Sequence, residues 1–74
     1  MKYKLETDVS TFMIQIEPMG LWDLWVDGML TLTFVILEEA AIVVYEQNSG
    51  YTIWDQLGQH SAPKDLSGWE RIEE

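Results

Sequence analysis

Seventy-four residues give room for one domain, near the lower limit at which an apolar core holds a chain together unaided. The absence of cysteine excludes disulfides and thiolate metal sites, and 47% apolar residues with four tryptophans exclude a disordered acidic tail. Thirteen acids against four bases, a net charge of −9, argue against direct binding to nucleic-acid phosphates or to anionic membrane.

The four bases sit near the ends, at Lys2, Lys4, Lys64 and Arg71. Between Leu5 and Pro63 there are nine acids and no lysine or arginine, so this stretch carries a negative field rather than internal ion pairs. Glu6 and Asp8 interrupt any apolar leader at the N-terminus. The longest apolar uncharged run, residues 28–37, falls well short of the ~20 residues a spanning helix needs. The expected compartment is the bacterial cytoplasm.

In chain order, Met1 to Glu6 alternates Tyr3 and Leu5 against Lys2, Lys4 and Glu6, which predicts an outer strand with lysines guarding its edge. Thr11–Glu17 places Phe12, Ile14 and Ile16 on one face and Met13, Gln15 and Glu17 on the other. Residues 21–26 oppose Trp22, Leu24 and Val26 to Leu21, Asp23 and Trp25, and residues 29–34 oppose Leu30, Leu32 and Phe34 to Met29, Thr31 and Thr33. A three-residue loop Pro18-Met19-Gly20 pairs Ile16 with Trp22 and Ile14 with Leu24, with the glycine left-handed. A matching loop Val26-Asp27-Gly28 pairs Leu24 with Leu30 and Trp22 with Leu32. A two-residue Asp27-Gly28 turn would mix the faces.

Leu37–Asn48 reads as a helix with Leu37, Ala40, Ala41 and Val44 on its core stripe and Glu38 and Glu39 favoured by the dipole in its first turn. Gly50 is placed to cap it, while Ile42 and Val43 fall off the stripe and want a cover. The tail supplies candidates. Thr52 to Asp55 reads as a capped turn, Gly58 to Pro63 as a loop, and Ser67 with Glu70 as a second capped turn, carrying Trp54, Leu57, Leu66 and Trp69. The fold class is therefore α+β: an antiparallel meander of three to four strands (1–35) on one helix (37–49), closed by a packed tail of short helical turns (51–74).

The succession of meander, Glu38-Glu39-Ala40-Ala41, Gly50, Trp54-Asp55, Pro63, Leu66 and Trp69 resembles a group of small bacterial and mobile-element βα proteins of uncharacterised activity. The resemblance implies a compact βα domain and carries over no catalytic residue. The chain departs from the group at the helix entry, where Val35-Ile36 replaces a Ser/Thr-Pro step.

The expectation is a non-enzyme, with no catalytic, cofactor or metal residues. His60 beside Ser61 lacks the strand–turn–helix elbow of a nucleophile and reads as a solvated loop histidine. Glu38 and Glu39 read as dipole compensation, Asp55 as a cap, and Asp23 and Asp27 lack calcium-loop spacing. One surface stands out in composition: the outward sheet face with Met13, Glu17, Leu21, Asp23, Trp25, Asp27 and Met29, where aromatic and sulfur groups sit amid charge. Either this face is a recognition patch or the tail tryptophans cover it, and the small chain's need for burial leans towards coverage.

The leading functional expectation is a non-catalytic module binding a basic protein or a basic groove. A nucleic-acid mimic acting against host defence comes next, and an enzyme with a partner-completed site around Asp55 and His60 third. A twofold homodimer through Val35, Ile36, Ile42 and Val43 is an open alternative.

Overall fold

The computed structural model describes residues 1–73 as an α+β fold. One antiparallel sheet in the order β4-β3-β2-β1-β5 is built from β1 (Lys2–Glu6), β2 (Thr11–Ile16), β3 (Trp22–Val26), β4 (Met29–Phe34) and β5 (Glu70–Ile72). Helix α1 (Leu37–Tyr45) lies against β3 and β4, followed by a helical turn, α2 (Thr52–Asp55), and a 3-10 turn at Leu66–Gly68. The sheet thus has five strands where the alternation predicts three to four. The fifth is a three-residue strand, too short for its period to register against the turn signals around it.

The β2–β3 hairpin has the predicted register, Ile16 opposite Trp22 and Ile14 opposite Leu24. Its loop closes through the Gly20 N–H donating to the Glu17 carbonyl, with Gly20 at φ +88°. The β3–β4 hairpin differs from expectation. Val26 faces Met29 across a two-residue turn, and both Asp27 (φ 50°) and Gly28 (φ 84°) are left-handed. That turn matches the twist of the flanking strands, and Asp-Gly is its favoured sequence. The face-mixing that argues against it is absorbed one step later. A bulge opens between Leu24 and Trp25, so Leu30 lies opposite Trp25 while Leu32 lies opposite Leu24 and Phe34 opposite Trp22. Leu24 therefore pairs with Leu32 rather than Leu30, and Trp22 with Phe34 rather than Leu32. The core register survives because the extra residue, Thr31, takes up the slip, its hydroxyl donating to the Leu24 carbonyl at 3.3 Å.

The helix stops at Tyr45, short of Asn48. Its C-terminus is a Schellman motif in which Gln47, at φ 59°, takes the left-handed place, with Asn48 N–H to the Val43 carbonyl at 2.8 Å and Gln47 N–H to the Val44 carbonyl at 3.2 Å. Gly50 is not the cap. It is left-handed at φ +87°, and a Cβ there would lie 3.3 Å from that of Thr31, so it lets the loop pass close to β4. The helix start has no side-chain cap at Ile36, consistent with the missing Ser/Thr entry.

One core forms, on the helix side of the sheet. Phe12, Ile14, Leu24, Val26, Ala40, Ala41, Val44 and Trp54 are fully buried or nearly so, with Ala62 and Trp69 at the margin. Val43 packs against this cluster, while Ile42 stays partly exposed. The tail closes the core from the far side of the helix: the ring of Phe12 meets that of Trp54 edge-on at 4.8 Å and that of Trp69 at 6.2 Å. The Trp54 indole N–H donates to the Val44 carbonyl at 2.9 Å, and the Gln47 amide donates to the Trp54 carbonyl at 3.0 Å. Both tail tryptophans therefore lie on the inner face, against the leaning towards outer-face coverage.

The expected caps are also redistributed. Tyr51, not Thr52, precedes α2, and it makes no side-chain cap. Asp65, not Ser67, caps the 3-10 turn by accepting from the Ser67 N–H at 3.0 Å. Asp55 reaches back to tie the interhelical loop, accepting from Ser49 N–H (3.0 Å), Ser49 Oγ–H (2.7 Å) and Gly50 N–H (3.0 Å).

Candidate functional site

With the tail tryptophans committed to the inner face, the described residues leave the outer face open across β2 and β3. Antiparallel partners directly opposite share a face. Met13 lies opposite Trp25 and Gln15 opposite Asp23, and Trp25 in turn has Leu30 on its other side. Met13 and Trp25 are only half-buried. They form the floor of a shallow depression of about 570 Å³, rimmed by Thr11, Gln15, Asp27 and Gly28.

The acids of this face are positioned by the hairpins. Asp27 is anchored by accepting the Thr11 N–H at 2.8 Å, while its own N–H donates to the Thr11 carbonyl at 2.9 Å. Asp23 accepts the Thr33 hydroxyl at 2.8 Å. Glu17, at the far end of β2, has its carboxyl held above the usual range by partial loss of water beside the sheet, by a hydrogen bond with Asp23 and by that group's negative charge. The neighbouring strand β1 brings Lys4 opposite Met13, where it is ion-paired with Glu6 at 2.8 Å.

Of the seven residues singled out by composition, Met13, Trp25, Asp23 and Asp27 lie together, with Glu17 and Leu21 continuing the face towards the opposite hairpin. Met29 does not join them. The two-residue turn sets it opposite Val26, on the core side of the edge, and the bulge sends Leu30 outward in its place. Strict alternation could not find Leu30. The signal that could was Asp27-Gly28 itself, whose preferred turn forces a compensating bulge in the next strand.

His60 is not a solvated loop residue. Its Nε2–H donates to the Tyr45 carbonyl at 2.7 Å and its Nδ1 accepts the Ala62 N–H at 3.0 Å, so both ring nitrogens are spent on the main chain. The ring stacks edge-on to Tyr45 at 5.5 Å and tilts against Trp54 at 5.0 Å. It forms one wall of a depression of about 330 Å³ with Thr7, Asp8, Leu57 and Ser61, where it acts as a clamp between loop and helix. Among the described residues no cluster of histidine and carboxylate could hold a metal ion, and no helix is long and apolar enough to cross a membrane.

Comparisons with protein-family models, with curated proteins and with solved structures returned no match. The functional reading therefore rests on the geometry of the chain itself.

Proposed function

We propose that this chain is a non-catalytic protein-interaction module, of bacterial or mobile-element origin, which receives a basic partner on its outer sheet face. One observation carries the reading: Trp25 and Met13 sit side by side on a face that no part of the described chain covers, although Trp54 and Trp69 are available and pack elsewhere. A half-buried tryptophan beside a methionine offers a large, stiff apolar contact, and the carboxylates of Glu17, Asp23 and Asp27 on the same side select for cations and steer their approach. The engagement of both His60 ring nitrogens with the main chain supports a structural role for that residue.

The test is capture of partners from a bacterial lysate by the wild-type chain, Trp25→Ala and Asp23→Asn in parallel. Retention lost in Trp25→Ala, with the melting temperature unchanged, supports the reading, since truncating a central aromatic anchor costs about 2 kcal/mol or more of binding. Retention indifferent to Trp25→Ala but abolished by moderate salt replaces it with the nucleic-acid mimic, whose binding is carried by charge alone.

A further inference from the structure

We propose that the free edge of β4 is a self-association surface, through which two copies pair antiparallel about a twofold axis and continue the sheet from one copy into the other.

The backbone hydrogen bonds fix which groups are available. Glu17 N–H donates to the Leu21 carbonyl and Asp27 N–H to the Thr11 carbonyl, so the odd-numbered residues of β3 turn their main chain towards β2. Trp22, Leu24 and Val26 then turn theirs towards β4, where their partners are Phe34, Leu32 and Met29. Thr33, between two of these, directs its N–H and carbonyl away from the sheet, where no described residue bonds them. The chain leaves the strand through Val35, which is 78% exposed, and Ile36, 52% exposed and still extended at φ −107° and ψ 120°. The bulge at Thr31 confines regular pairing to the stretch from Leu32 onward.

The two edges of the sheet are guarded unequally. β5 carries Glu70 and Arg71, with an Arg71–Glu73 ion pair at 2.6 Å, the usual device against edge pairing. β4 carries no charge at all and lies within residues 28–37, the longest uncharged run in the chain. Charge also selects the occupant. A basic partner gains nothing from a neutral strand in a molecule whose acids lie elsewhere. A second copy, itself bearing −9, meets no charge of its own sign on this strand. Pairing about Thr33 sets the two Asp23 carboxylates three strand spacings apart, roughly 14 Å. That separation exceeds the ~8 Å screening length at physiological salt. A stable interface takes ~800 Å² from each partner. Edge bonds alone do not reach that, and the exposed side chains of Val35, Ile36 and Leu30 lie where the rest is needed.

Sedimentation of the full chain from micromolar to millimolar concentration, at low and high salt, tests the proposal. The expected result is a monomer–dimer equilibrium that tightens as salt rises, opposite in sign to the capture of a basic partner. Val35→Glu, at an exposed site, should weaken the dimer about tenfold or more by setting an unpaired charge against Thr31 of the other copy, where the contact excludes water. Thr33→Pro should do the same by removing the outward N–H while sparing the ladder to β3. Trp25→Ala should leave it unchanged, and the melting temperature of each dilute variant verifies its fold. A monomer throughout the range overturns the proposal. So does a dimer that withstands both edge variants, or one lost only in Trp25→Ala.

Discussion

At the residue scale, two buried serines separate a hydroxyl that is used from one that is not. Ser49 is fully buried, and its Oγ both donates to Asp55 and accepts the Tyr51 N–H at 3.2 Å. Ser10 is almost as buried, but only its main chain is engaged, by Thr7, and its Oγ has no partner. A buried hydroxyl without a partner carries its desolvation cost uncompensated. Ser10→Ala should therefore be neutral or stabilise by about 1 kcal/mol, whereas Ser49→Ala should cost about 2 kcal/mol by leaving a carboxylate and an amide short of partners. Urea denaturation of the two variants against wild type reads the difference. Glu17 offers a pH signature. Its carboxyl is raised in the folded chain by desolvation and by Asp23, so folding favours its protonated form. That contribution is complete below the unfolded-state value and is lost as pH climbs through the folded one. Glu17→Gln should consequently raise the melting temperature slightly at neutral pH, with the gain vanishing on acidification through the carboxylate range. A gain that persists in acid would show that Asp23 is not its source.

At the scale of elements, the attachment of β5 depends on a near contact that only glycine allows. A Cβ on Gly68 would sit 2.4 Å from Cβ and 2.7 Å from Cγ of Pro63, and a proline ring cannot swing aside. Gly68→Ala should push the 3-10 turn off its seat and loosen Trp69 from Phe12, costing about 1–3 kcal/mol as overpacking does. Loss of near-ultraviolet circular dichroism from the tryptophans would track it. This packing also marks where the sequence stops being legible. The β2–β3 hairpin could be read because Pro18 and Gly20 each have one backbone preference and the aliphatic pattern agrees with both. The helix stripe of Ala40, Ala41 and Val44 was legible for the same reason. At Asp27-Gly28 turn chemistry and alternation disagree, and the chain satisfies both by a bulge that neither signal contains alone. The Gln47 cap was hidden because a non-glycine residue took the left-handed place, held there by its side-chain bond to the Trp54 carbonyl. The side on which the tail packs is set by contacts more than forty residues apart in the chain, such as Phe12 with Trp54, and local pattern carries no information about them. The outer-face residues were legible as a set apart from Met29, but whether they stay bare depended on that long-range choice.

At the scale of the molecule, a single-sided core and a one-signed surface pull against each other. All the deeply buried side chains lie between one face of the sheet and the helix with its tail, so stability rests on one apolar layer in a chain of 74 residues. Around it the acids outnumber the bases by 13 to 4, and the ion pairs described, Lys4–Glu6 at 2.8 Å and Arg71–Glu73 at 2.6 Å, are solvent-exposed and lie at the two termini. The acids of the middle of the chain thus repel one another across a small globule with a Cα radius of gyration of 11.2 Å, comparable with the ~10 Å screening length at 0.1 M salt. Unfolding relieves that repulsion by moving the charges apart, so dilute salt buffer is the least stable condition. Sodium chloride should raise the melting temperature steadily over the range where screening becomes effective, and the dilute monomer should show it without any association. Sodium sulfate at matched ionic strength should add a further rise, because it also strengthens apolar burial. If chloride left the melting temperature flat while sulfate raised it, self-repulsion would be too weak to matter, and the acidic surface would act on partners rather than on the fold.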